Sequence, residues 1–258
     1  MAYLMKKITI GDITIIEKYY SNRYGSKGKC TRGQNYGKTP ENVAKSNARR
    51  ACMKADTVFN ANFGQGSLLL TFTVAPQYKN FSTKEKMKWW RNYMDKCRRA
   101  YKKAGIVFKW MKCVETPEGN FHIHAVFSAI DTTLLPKWEY GKIHIEFADD
   151  RDYHTYGGYL REQTHVKQHN KGKYTDVKPV QYYSHSRNLI IPEPEITVIS
   201  NDHWADDPKV PKGYYIFEKK VENWEDEVNG YKHQCYILCK IPDKPKRKPK
   251  AAGKGGRR

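Results

Sequence analysis

Acidic residues are the scarce class in this sequence. Against 47 Lys and Arg stand 27 Asp and Glu, a net charge of +20 on 258 residues. Such a chain is poorly suited to cationic partners and well suited to a polyanion. Long apolar runs are missing too. No stretch reaches the roughly 18 apolar residues that cross a bilayer, so no membrane partner is expected. The opening "MAYLMKKITIGDITI" lacks a signal-peptide core and cleavage site. The cysteines (Cys30, Cys52, Cys97, Cys113, Cys235 and Cys239) form no Cys-x-x-Cys pair. Without a secretion signal they read as reduced thiols in a cytoplasm, with Cys235 and Cys239 packed on one face of a strand. A Gly-x-x-x-x-Gly-Lys-Ser/Thr loop is also lacking, so the chain is not expected to be a helicase.

What is present suits one domain with extensions. The sequence is 39% hydrophobic and 13% aromatic, which excludes disorder throughout. From Lys244 onward there are eight Lys or Arg and no acid, broken by Pro245, Pro249 and glycines. That composition predicts a disordered basic tail over 243–258. Removing its eight charges from +20 leaves +12, so the body is basic as well.

Residues 1–20 alternate weakly and predict a strand or hairpin, and 21–38 read as a glycine-rich basic loop. Thr39 has the character of an N-cap, with Pro40 in the first turn of a helix to about Asn62. Its thin apolar stripe suits a helix lying on nucleic acid or in solvent. "SLLLTFTVA" (67–75) alternates as a strand. Residues 83–104 are the clearest helix, with Met87, Trp90, Met94, Cys97 and Tyr101 on one face and Lys and Arg on the other. "IVFKWMKCVE" (106–115) and "NFHIHAVFSA" (120–129) flank "TPEG", which predicts a hairpin. "GKIHIEFAD" predicts a further strand, "DDRDYHTYGGYLREQT" (149–164) a short helix, and residues 213–241 a second hairpin. The centre reads β-α-β-β-β-α. This is an α+β fold: an antiparallel sheet with helices on one face. The expected organisation is an N-terminal extension over 1–63, a core over 64–165, a β-rich C-terminal extension packed on it over 166–242, and the tail.

Strand parity organises the candidate site. His122 and His124 share one face of their strand, while Phe121, Ile123, Ala125 and Phe127 form a core face behind them. With 116–119 as the loop, Cys113 faces His122, and Glu115 lies diagonal to it at about 7–8 Å between Cα atoms. Two imidazoles and a carboxylate leave open positions on a divalent ion, and a phosphate substrate would favour Mg²⁺ or Mn²⁺. The competing reading is a pair of exposed strand histidines. On the 149–164 helix, Tyr153, Tyr156 and Leu160 make a packing stripe. Tyr159 sits at its edge, where its hydroxyl could attack phosphorus. Packing is the competing reading for each tyrosine.

These pieces in this order resemble the HUH endonucleases, and within them the rolling-circle replication initiator (Rep) proteins of bacterial plasmids and phages. "LLLTFT" resembles the family's first motif, "HIHAVF" its His-hydrophobe-His motif, and "DYHTYGGYLREQ" the helix bearing one catalytic tyrosine. "YSHSRNLIIPEP" is similar to the stretch that follows that helix. The resemblance implies an HUH/Rep-like fold and metal ligands Glu115, His122 and His124 for Mn²⁺ or Mg²⁺. It also implies Tyr159 as nucleophile, with Tyr156 as the fallback. A lysine common three residues after the tyrosine is Glu162 here, so Arg161 is the candidate for its role. The implied activity is sequence-specific nicking and joining of single-stranded DNA at an origin hairpin through a 5′-phosphotyrosine, with a host helicase unwinding the duplex. Candidate DNA contacts are Arg49, Arg50, Lys112, Arg187 and the basic face of the 83–104 helix. A non-catalytic nucleic-acid-binding regulator and a related transposase or relaxase remain open.

Overall fold

The computed structural model describes residues 2–25, 40–115, 121–149, 183–200, 203–226 and 230–242, with the backbone alone for 40–45 and 115. All of the expected 149–164 helix beyond Asp149, with Tyr156, Tyr159 and Arg161, lies outside them, as does the tail. Among the described residues no helix is long and apolar enough to cross a membrane.

Two five-stranded antiparallel sheets and two long helices make up the described fold. The first hairpin pairs β1 (Ala2–Ile10) with β2 (Ile13–Ser21). Helix α1 (Pro40–Asn62) leads to β3 (Leu68–Thr73), and α2 (Thr83–Lys103) leads to β4 (Trp110–Glu115). Then come β5 (His122–Phe127), β6 (Ile143–Phe147) and β7 (Ser184–His185). Last are β8 (Glu195–Ile199), β9 (Tyr214–Glu225) and β10 (Lys232–Lys240). The central sheet has the order β6-β3-β5-β4-β7, and the second has β8-β1-β2-β10-β9. Strands from residues 2–21 and from residues 195–240 therefore share one sheet.

Helix α2 starts at a capping box. Ser82 Oγ accepts from the Glu85 N–H at 3.3 Å, and the Glu85 carboxylate accepts from the Ser82 N–H at 2.9 Å. Its Trp90, Tyr93, Met94, Cys97 and Tyr101 bury against Leu68, Leu70, Phe72, Ile123, Ala125 and Phe127. This stripe and the alternation of β3 agree with the sequence reading.

Helix α1 corrects two expectations. It packs on the opposite face of the central sheet, so helices cover both faces and not one. Nor does it lie in solvent: Ala55, Val58 and Phe59 bury against Met111, Cys113 and Val126. Its other side puts Met53 against Ile8, Ile13, Ile15 and Cys239 of the second sheet. A helix buried on two sides carries two narrow stripes of small and apolar residues, which read in sequence as one thin stripe.

Candidate metal centre

β5 presents alternate side chains to alternate faces. Ile123, Ala125 and Phe127 enter the core under α2, while Val126 packs under α1. His122 and His124 lie on the α1 side by the same parity. The expected hairpin forms, but two residues out of the expected register. Glu115 pairs directly with His122, and Cys113 with His124. Two is the side-chain period, so Glu115 keeps the face of the histidines. Its Cα also comes nearer to that of His122 than expected, since direct partners lie about 4.5–5.5 Å apart. The Glu115 side chain is outside the described set.

From the other flank β3 supplies Thr73 opposite His122 and Thr71 opposite His124. His124 is 6% exposed. A ring that deep needs a polar partner, and Thr71 Oγ1 lies 3.1 Å from its Nδ1. An ion bound by His124 would therefore use Nε2, with Thr71 fixing the ring. His122, at the strand's first residue, is half-buried. The two ring centroids stand 6.3 Å apart. Metal–nitrogen bonds of about 2.1 Å put two imidazoles of one ion roughly 5 Å apart. Shared ligation thus needs a side-chain rotation, and His122 is the ring with room for it. Among the described residues no three His, Cys, Asp or Glu side chains gather closely enough to hold an ion. The donor types and their common face fit a divalent cation once Glu115 contributes.

His144, on edge strand β6, is in register with Thr71 on the same face. It is exposed, with Nε2 3.0 Å from the Glu146 carboxylate.

The expected DNA contacts are dispersed. Lys112 lies on the α2 face, away from the histidines, its ammonium 5.8 Å from the centroid of the Trp90 ring. Burial holds its pKa below the usual lysine range. Arg49 turns inward, its guanidinium 4.0 Å over the Trp224 ring of β9. Arg50 and Arg187 are exposed.

Sequence reading missed Thr71 and Thr73, although the alternation of "LLLTFT" places both opposite the core face. It also missed the strap over 135–142 that crosses the end of β3. Trp138 Nε1 donates to Thr73 O at 2.8 Å, the Thr73 N–H to Lys142 O at 2.9 Å, and the Ala75 N–H to Tyr140 O at 2.8 Å. Gly141 allows this closeness: a Cβ there would stand 2.1 Å from Thr73 O. The sequence signal was an aromatic pair followed by glycine, "WEYG".

Comparison of the chain with protein-family models, with curated proteins and with solved structures gives no match.

Proposed function

We propose that the chain is a metal-dependent endonuclease of the HUH class, which cuts and rejoins single-stranded DNA. Within that class the reading is a replication initiator that opens a plasmid or phage origin for rolling-circle synthesis. The observation that carries it is the register that sets Glu115 opposite His122 and puts both on the face of His124. The charge of +20 supports a nucleic-acid substrate.

In this reading His122, His124 and Glu115 would hold Mn²⁺ or Mg²⁺, which would supply Lewis-acid polarisation of the scissile phosphate. Thr71 keeps the His124 ring oriented. The Tyr159 hydroxyl attacks phosphorus and gives up its proton. One Tyr–O–P bond forms and the P–O3′ bond breaks, and the departing 3′ oxygen takes up a proton. The 5′ phosphate stays on the protein and the free 3′-OH primes synthesis. Arg161 supplies positive charge beside the phosphate. Rejoining is the reverse attack by a 3′-OH, so no external energy source is needed.

The test is a set of labelled single-stranded oligonucleotides that tile the DNA flanking the gene, incubated with Mn²⁺ and run on a denaturing gel. A covalent adduct is expected with wild type and none with Tyr159→Phe or His122→Ala. Loss with Tyr156→Phe alone would move the nucleophile one turn. Binding without any adduct would favour the non-catalytic regulator.

A further inference from the structure

At the rim of the core, where the strap crosses the end of β3, four rings meet and reach the surface. Trp89 and Tyr140 stack with centroids 4.2 Å apart and planes 5° apart. Tyr78 meets Trp89 at 5.6 Å and Tyr140 at 5.5 Å, both edge-on. Phe81 meets Trp89 at 5.1 Å. None is buried, and Phe81 is 43% exposed. The core beneath has its own aromatic set, Phe72 against Trp90, Tyr93 and Trp138. Trp89 and Tyr140 pack half-buried against that core, and Tyr78 and Phe81 extend the aromatic set outward to the surface.

Cations surround this ledge. An open pocket beside Trp89 and Tyr140 is also lined by Asn92, Lys96 and Lys137. Exposed Lys84, Lys88 and Arg91 continue along the outer side of α2. Lys96 shares its charge with Glu139 at 2.8 Å, while Lys137 is exposed. Rings with accessible surface, interleaved with lysines, suit a ligand that offers flat apolar faces and negative charge together. Unpaired nucleotides have both. A duplex hides its base faces and would use only the cations.

Position gives the ledge its relation to the candidate metal centre. Tyr140 O holds the Ala75 N–H, and Thr73, two residues earlier, is the cross-strand partner of His122. The rings thus lie at the sheet end that carries His122 and Glu115, on the α2 side.

We infer that the ledge of Tyr78, Phe81, Trp89 and Tyr140 binds unpaired bases of single-stranded DNA, with Lys96 and Lys137 beside its phosphates. The assignment rests on the proposed function and names the surface that holds the strand next to the cut.

The experiment is fluorescence anisotropy of a labelled oligothymidylate in EDTA, so that neither a metal nor cleavage enters. Phe81→Ala is expected to weaken binding about five- to hundredfold, the range for one stacked base. Phe81→Tyr should retain wild-type affinity. Since Phe81 is exposed, its removal leaves the core intact, and circular dichroism checks this. Replacing the bases by abasic sites while keeping the phosphates should erase the difference between wild type and Phe81→Ala. Blunt duplex should bind both proteins alike. Unchanged single-strand affinity in both Phe81→Ala and Tyr140→Ala overturns the inference, as does an equal loss on duplex or abasic strand. Adduct formation with ring-independent binding would sink the ledge alone. Ring-dependent binding with no adduct would sink the nuclease reading alone.

Discussion

Replacing Gly141 with alanine puts one methyl group against backbone. The new Cβ would stand 2.1 Å from Thr73 O, 2.8 Å from Thr73 C and 3.1 Å from Ala75 N. Carbon contacts settle at about 3.5–4.0 Å, so the strap has to retreat by more than about 1 Å. None of the crowding atoms belongs to a flexible side chain that could swing aside. Retreat stretches three hydrogen bonds: Trp138 Nε1 to Thr73 O, Thr73 N–H to Lys142 O, and Ala75 N–H to Tyr140 O. At a net of about 0.5–1.5 kcal/mol each, their loss destabilises the protein by about 3 kcal/mol. That is a large fraction of a typical total of about 5–15 kcal/mol. Urea unfolding followed by circular dichroism measures it, as a lower midpoint at unchanged slope. Gly64→Ala is the control. Its Cβ would meet nothing within 4 Å, and a change within about 0.5 kcal/mol is expected. A Gly141→Ala protein within about 1 kcal/mol of wild type would refute the claim that this close approach holds the strap.

Three further perturbations probe other parts of the molecule. Thr71→Val removes the hydroxyl 3.1 Å from His124 Nδ1, and Mn²⁺ affinity by calorimetric titration should fall about ten- to hundredfold; unchanged affinity would remove His124 from the metal site. Burial, with smaller effects of Arg49 and Arg50, holds the His233 imidazole below its usual pKa despite Asp226 and Glu17. The unfolded chain then takes up this proton more readily, so the contribution is fully present above about pH 6.5 and is lost as pH falls below it. Wild type should lose more stability than His233→Gln between pH 7 and 5, and parallel losses would exclude this residue. Burial pushes the Cys97 and Cys235 thiols up to about 12. Iodoacetamide at pH 8 should leave the buried Cys97 unmodified in the native protein and label it in urea, as read by mass spectrometry, and fast native labelling would contradict its burial.

Legibility in the sequence followed the number of faces each element buries. β3 and α2 bury one face, so Leu68, Leu70 and Phe72, or Trp90, Met94 and Cys97, stand out at the period of their element. Helix α1 is enclosed from two sides, and its Ala48, Ala55 and Val58 carry too little apolar bulk to announce burial. The His122–His124 parity survived an error in loop length. "TPEG" suggested a four-residue turn with Glu115 opposite Asn120, whereas the ladder pairs Glu115 with His122. An error of one residue would have put Glu115 on the other face. Nothing local could show that β2 pairs with β10, because that partnership is written only in the two strands' shared apolar faces. The strap was missed because its function is carried by backbone carbonyls and one absent side chain.

The sharing of one sheet by β1, β2 and the late strands β8, β9 and β10 sets a timetable for synthesis. Lys18 donates to Gln234 across 216 residues. At about 5–20 residues per second, roughly ten to forty seconds separate the emergence of these two partners from a ribosome. The central sheet, whose β3–β6 all fall between residues 68 and 147, can pair during that interval. The β1–β2 hairpin meanwhile waits with unpaired edges, and Lys6, Lys7 and Lys18 give those edges the charge that discourages pairing with other chains. A chain stopped before β10 keeps the β2 edge open. Truncation near residue 230 is therefore expected to produce aggregates containing the first hairpin, even though it removes nothing from the strands that carry His122 and His124.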